Sequence, residues 1–140
     1  MNEELRRRFA AECRYAANKM QSSPDPARKL FYFSALFGEA QRLLNLEWDR
    51  DIVLIFIVTQ QAYNQINVQL PLLGSVLPIK LETVFEKLTQ NASNLASYLE
   101  KNEKKTRLEE LCQILGRFAE ITYVTQGNGS YLYEKGIIKL

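Results

Sequence analysis

A chain of 140 residues, of which 46% are hydrophobic, is long enough to form one domain with a packed core. Six glycines and four prolines are too few for a loop-rich sandwich or a disordered chain. The net charge of +2 does not imply a partner by itself, although residues 1–30 carry seven basic and four acidic side chains. The chain has no histidine, which excludes histidine-based acid–base catalysis and histidine-ligated metal sites.

The first helix is predicted over residues 3–20, because apolar side chains recur there at helical spacing. The stripe consists of Leu5, Phe9, Cys13, Ala16, Ala17 and Met20. Arg7, Arg8 and Arg14 fall away from it, and the segment 22–24 (Ser-Ser-Pro) ends the helix.

A second helix is predicted over residues 26–44. Asp25 followed by Pro26 is typical of an N-cap with proline in the first helical turn. The apolar face covers nearly half of the circumference, which indicates a central position in a bundle. Its members are Leu30, Phe33, Leu36, Phe37, Ala40, Leu43 and Leu44, widened by Phe31 and Tyr32.

The third segment carries no charged residue from Ile52 to Ile79, and every polar side chain in it is neutral. A helix is predicted over residues 50–70, with Asp49 as N-cap and Pro71 after its end. Its apolar run 52–58 also fits a buried strand, but the helical spacing of the apolar residues favours a helix. The predicted core face consists of Ile52, Ile55, Phe56, Tyr63, Ile66 and Leu70.

Two further helices are predicted over residues 79–100 and 107–125 as an antiparallel hairpin. The first has a heptad stripe formed by Leu81, Phe85, Leu88, Ala92, Leu95 and Leu99. A capping box from Thr106 to Glu109 predicts the start of the second. Its stripe consists of Leu108, Leu111, Leu115, Phe118 and Thr122.

The C-terminal part fits two structures. Residues 121–133 have the composition of a β-hairpin closed at 127–129, yet Gly127 also suits the end of the fifth helix. In both cases the apolar end of the tail 127–140 requires burial. We therefore predict an all-α, single-domain bundle of about five helices over residues 1–140, with a docked C-terminal tail.

The back face of the helix over residues 50–70 is the candidate partner interface. Amides form hydrogen bonds without the desolvation cost of a charge, and charged residues are depleted at interface cores. The residues are Gln60, Gln61, Asn64, Gln65 and Val68. The alternative is a central helix covered by its own chain. We expect the apolar half of this helix in the core and the segment 60–69 at or near a contact.

The leading functional hypothesis is a non-catalytic protein–protein interaction or assembly subunit that self-associates, as a homodimer, through this helix. A second hypothesis is nucleic-acid binding through Arg6, Arg7, Arg8 and Arg14, joined by Arg28 and Lys29. Against it, three adjacent arginines on a helix point in three directions and are typical of a solvated face.

A third hypothesis is a carboxylate-dependent metalloenzyme built on Glu47, Asp49 and Asp51. The same carboxylates are also explained by their place at a helix start, where they suit the helix dipole. Residues 127–130 complete neither a dinucleotide fingerprint nor a Walker A motif, so no cofactor is predicted.

The sequence favours a cytoplasmic location. The N-terminal residues lack the apolar run of a signal peptide, and the longest apolar run, 52–58, is shorter than the roughly 20 residues that span a bilayer. Cys13 and Cys112 form no CxxC pair and are interpreted as small buried hydrophobic residues. We therefore expect no membrane partner.

Overall fold

The computed structural model describes residues 1–72, 80–118 and 135–136. Within these ranges the regular structure is entirely helical, which confirms the predicted all-α bundle. The alternative β-hairpin over 121–133 and, apart from residues 135–136, the predicted docked tail lie outside the described residues. The elements are α1 (Glu3–Ser22), α2 (Pro26–Leu44), α3 (Arg50–Gln69), a 3-10 turn (Leu70–Leu72), α4 (Leu81–Lys101) and α5 (Lys105–Gly116).

Asparagine and aspartate side chains begin the first three helices. Asn2 accepts a hydrogen bond from the backbone N–H of Leu5 at 2.9 Å. Asp25 accepts one from the N–H of Ala27 at 3.1 Å, as predicted, and Asp49 caps α3 in the same way. The first N–H groups of a helix have no acceptor within it, so these caps determine where each helix begins.

The turn between α4 and α5 differs from the prediction. Asn102 adopts the left-handed conformation, with φ of 50°, and ends α4. The chain reverses there, and α5 begins soon afterwards at Lys105, with Lys104 at the N-cap position and no side-chain cap. The predicted capping box from Thr106 to Glu109 is therefore wrong, because Thr106 already lies inside the first turn.

The described part of α5 is also shorter than predicted. The helix ends at Gly116, and residues 119–125 of the predicted helix lie outside the described residues. The N–H groups of Arg117 and Phe118 donate to the carbonyls of Ile114 and Leu115, at 3.2 and 3.1 Å, in a tighter turn that closes the helix. Glycine is a poor helix former, which accounts for the end at this point. Phe118 is nevertheless buried in the core.

The five helices form a closed ring of neighbours around one core. α1 packs against α2 and α4, α2 packs against α1 and α3, and α5 contacts both α3 and α4. The predicted stripe of α1 is buried in full, and the stripes of α4 and α5 are buried at nearly all described positions. The largest fully buried side chains belong to all five helices: Phe9, Met20, Phe33, Leu36, Leu43, Ile52, Ile55, Ile66, Leu88, Leu95, Leu99 and Leu108.

α3 is rotated relative to its predicted orientation. Of the predicted core face, Phe56, Tyr63 and Leu70 are only half-buried, whereas Thr59 and Ala62 are buried. The Thr59 hydroxyl donates to the carbonyl of residue 55 at 2.6 Å, which satisfies it inside the core. No helix among the described residues, α3 included, is both long and apolar enough to cross a bilayer.

Candidate functional site

The outer face of α3, opposite the core, contains the predicted contact residues. Gln61, Asn64 and Val68 are exposed, and Val68 exposes 67% of its surface. Gln60 and Gln65 are half-buried at the two edges of this face. The structure thus brings three of the five predicted residues together on the surface and places the other two beside them.

Ile57, which was expected in the core half of the helix, is 53% exposed and joins the same face. Gln61, Asn64 and Val68 follow it at steps of four, three and four residues, which is heptad spacing. We call these four residues the outer stripe. The sequence places Ile57 on the back face, away from the predicted core face, but Ile57 was not among the predicted contact residues because the start of α3 is apolar on all sides and was assigned to the core. Gln69, expected near a contact, is buried.

The outer stripe is electrically neutral. The charged residues of α3 are Arg50 and Asp51, both in its first turn. Two apolar side chains, Ile57 and Val68, lie at the ends of the stripe, with two amides between them. Such a face can pair by apolar packing and by amide hydrogen bonds, without burying an unpaired charge.

Further exposed apolar side chains lie on α2 and in the turn before α3. The ring of Phe37 on α2 packs edge-on against Tyr63 of α3, with ring centroids 5.2 Å apart. Phe31, near the start of α2, is 69% exposed. Leu46 and Trp48, the latter 73% exposed, lie in the turn before the N-terminal end of α3.

Three of the four arginines proposed for nucleic-acid binding, Arg6, Arg8 and Arg14, cross-link the bundle. The Arg6 guanidinium donates to the carbonyls of Leu99 and Glu100, at 2.6 and 3.4 Å, where the partial negative charge of the α4 C-terminus accumulates. Arg8 Nε lies 3.0 Å from Oε1 of Glu39, whose side chain is only 8% exposed. These contacts tie α1 to α4 and α2.

Arg14 makes the most extensive contacts of the four. It binds the Glu100 carboxylate through Nη2 at 2.8 Å and Nε at 3.2 Å, and the hydroxyls of Ser97 and Ser93 at 2.9 and 3.1 Å. The hydrogen bond from Arg14 lowers the pKa of Glu100. Arg7, by contrast, is 73% exposed. The four arginines therefore do not form one surface, and nucleic-acid binding stays an untested prediction.

The three carboxylates proposed for metal binding do not converge. Asp49 accepts hydrogen bonds from the N–H groups of Asp51 and Ile52, at 2.9 and 3.0 Å, and pairs with the N-terminal ammonium group at 2.7 Å. Glu47 accepts a hydrogen bond from the Asn2 amide at 2.6 Å. In the part of the chain that the structure describes, no three His, Cys, Asp or Glu residues are grouped to hold a metal. The metalloenzyme hypothesis stays untested.

The pKa of Asp49 follows from its contacts at the start of α3. Burial alone would raise its pKa, but the hydrogen bonds from the Met1 ammonium and the backbone N–H of Ile52 outweigh burial and hold the pKa below its usual value. The same contact with Asp49 raises the pKa of the ammonium group. Both groups are thus held in their charged forms near neutral pH.

The two cysteines are free and buried, as predicted. Burial raises the pKa of the Cys13 thiol well above its usual value and that of Cys112 to about 11. Because the thiolate is the nucleophilic form of cysteine, both side chains are poorly suited to covalent catalysis.

Two of the surface grooves lie between the described helices. One, of about 740 Å³, lies between the α1–α2 turn and the start of α4, where Lys29 and Glu86 line it. The other, of about 270 Å³, lies between α4 and α5 and is lined by Asn91 and Phe118. The hydroxyls that line the first groove are engaged in other contacts, since Thr89 donates to the carbonyl of Phe85 at 2.7 Å and Ser93 accepts from the Arg14 guanidinium at 3.1 Å.

No protein-family model, curated protein or solved structure matches the chain. A helical bundle hosts many unrelated functions, so the fold does not define one. Among the surfaces of the described residues, the outer stripe departs furthest from an ordinary solvated helix face.

Proposed function

We propose that this protein is a non-catalytic assembly subunit that self-associates through the outer stripe of α3. The observation that supports this proposal is an exposed helix face on which Ile57 and Val68 flank two amides, with no charge in between. Interface cores are depleted in charged residues, and a patch on one face that pairs with itself gives a two-fold dimer.

The other helices provide an internal comparison. The exposed positions of α1 include Glu4, Arg7 and Glu12, and those of α4 include Glu82 and Lys87. The solvated faces of this protein therefore carry charges in the ordinary way. The neutrality of the outer stripe is a local property of α3 and is consistent with a face that another protein surface covers.

The proposal is tested with a pair of isosteric changes, Gln61→Glu and Asn64→Asp, made together. They add two negative charges to the outer stripe of each copy and leave side-chain volume almost unchanged. The matched control combines Asn18→Asp on α1 with Gln113→Glu on α5, two exposed positions on other helices. Sedimentation velocity across micromolar concentrations then gives the mass of each variant and of the unchanged chain.

We expect the unchanged chain and the control to sediment as dimers and the outer-stripe variant as a monomer. Two like charges about 4 Å apart repel by roughly 1 kcal/mol in water and more in a partly desolvated interface, so each close pair weakens association at least about fivefold. The far-UV circular dichroism of all three should be the same. A monomeric unchanged chain, or an equal loss in the control, would refute the proposal.

A further inference from the structure

We infer that two copies of the protein pair their α3 helices antiparallel, about a two-fold axis through the midpoint of the outer stripe. Ile57 of each copy then packs against the partner's Val68, and Gln61 lies opposite the partner's Asn64. This inference rests on the proposed self-association and specifies its geometry.

The spacing of the outer stripe is symmetric about its midpoint. Gln61 and Asn64 are equally distant from the midpoint of the stripe, and so are Ile57 and Val68. A half-turn about that midpoint therefore brings apolar side chains onto apolar ones and amides onto amides. Steps of four, three and four residues also keep all four side chains along the seam between two crossing helices.

Charge decides between antiparallel and parallel pairing. Arg50 is exposed and lies one heptad before Ile57, so it continues the line of the outer stripe at its N-terminal end. Parallel pairing would bring it against Arg50 of the other copy, where two aligned helix N-termini add to the repulsion. Antiparallel pairing moves the two Arg50 side chains to opposite ends of the contact, each beyond the last residue of the partner's α3, on the side where the helix dipole is negative.

The two amides at the centre have a specific role in this geometry. Each has both a donor and an acceptor, so Gln61 and the partner's Asn64 are able to satisfy each other when water is excluded. If the two helices were shifted by one heptad, the amides would face Ile57 or Val68 of the partner and would have no hydrogen-bond partner. Buried polar groups fix register in helix pairs in this way, at a cost in affinity.

Disulfide trapping tests the register. Ile57→Cys and Val68→Cys chains are prepared separately, and each is incubated in a thiol–disulfide redox buffer alone and in an equal mixture. The native cysteines, Cys13 and Cys112, are buried and give a low background in the unchanged chain. An Asn18→Cys chain, with its new thiol exposed on α1, controls for disulfides that form by random collision.

We expect cross-linked dimers in the mixture and at most the collision background in either chain alone. In the antiparallel register the two copies of residue 57 are about 16 Å apart along the axis, at a rise of 1.5 Å per residue, which is too far for a disulfide. The mass of the unchanged chain is measured by sedimentation in parallel, and circular dichroism checks that each cysteine variant is folded.

The outcomes separate this inference from the proposed function. Cross-linking of Ile57→Cys chains to each other, above that of the mixture, would overturn the antiparallel register while self-association stands. A dimer by sedimentation with only the collision background in every sample would remove the outer stripe from the contact. A monomeric unchanged chain would overturn both proposals.

Discussion

Replacing Asp49 by alanine is expected to destabilise the bundle more than any other single cap change. The Asp49 carboxylate accepts two backbone N–H bonds at the start of α3 and pairs with the N-terminal ammonium group at 2.7 Å. The substitution therefore removes a helix cap and also leaves the ammonium group without its partner. The matched control is Asp25→Ala at the start of α2, where the carboxylate accepts one N–H bond in an exposed position.

The expected loss follows from these contacts. An N-cap replaced by alanine costs about 1 kcal/mol, and a charge at a helix N-terminus is worth roughly 0.3–1 kcal/mol more when exposed and up to about 2 kcal/mol when partly buried. Asp49→Ala should thus lower the free energy of unfolding by about 2 kcal/mol and Asp25→Ala by about 1 kcal/mol or less. Asp49→Asn keeps a capping oxygen and loses only the charge, so its loss should be about 1 kcal/mol.

Urea unfolding followed by far-UV circular dichroism measures these differences at one fixed protein concentration, since self-association would itself add stability. Trp48 fluorescence is a poor probe of unfolding, because this side chain is already exposed in the folded protein. Equal losses for the Ala substitutions of Asp49 and Asp25 would refute the reasoning.

The pH dependence provides a second test of Asp49. Its pKa is held below the usual value in the folded state, so its stabilisation is complete above the unfolded pKa of about 3.9 and is lost as the pH falls through the folded value. The stability advantage of the unchanged chain over Asp49→Asn should therefore shrink in acid. An advantage that persists when the carboxylate is protonated would show that the charge is not its origin.

Two further substitutions test how the helices are held together. Arg14→Lys should lower the free energy of unfolding in urea by about 1–2 kcal/mol, because lysine keeps the charge but loses the forked contact with Glu100 and the serine hydroxyls. A loss below about 0.5 kcal/mol would count against this role of Arg14. Leu88→Ala should lower the free energy of unfolding by about 2–5 kcal/mol, because it leaves a cavity in the core. Leu46→Ala, at an exposed position, should change it by no more than about 0.5 kcal/mol. Similar losses for both would contradict the burial of Leu88.

The candidate site was only partly predictable from the sequence. The neutral segment after Asp51 indicated a contact face on α3, and three of its five predicted residues are exposed. Ile57 was predicted on the same face but left out of the contact residues, because an apolar helix start has no polar side that marks the exposed one. Conversely, the arginines of α1 were predicted to be typical of a solvated face, but Arg6 and Arg14 bind α4 residues more than 80 positions away in the chain.

The sequence by itself determined the fold class and the helix starts that depend on local chemistry. Aspartate at residues 25 and 49 caps the N–H groups that follow directly, and apolar residues at helical spacing define the buried stripes of α1 and α4. Only the tertiary structure decided the rotation of α3. Neighbouring helices on both sides determine which side of a nearly all-apolar helix is buried, and the same packing leaves Ile57 and the amides on the surface.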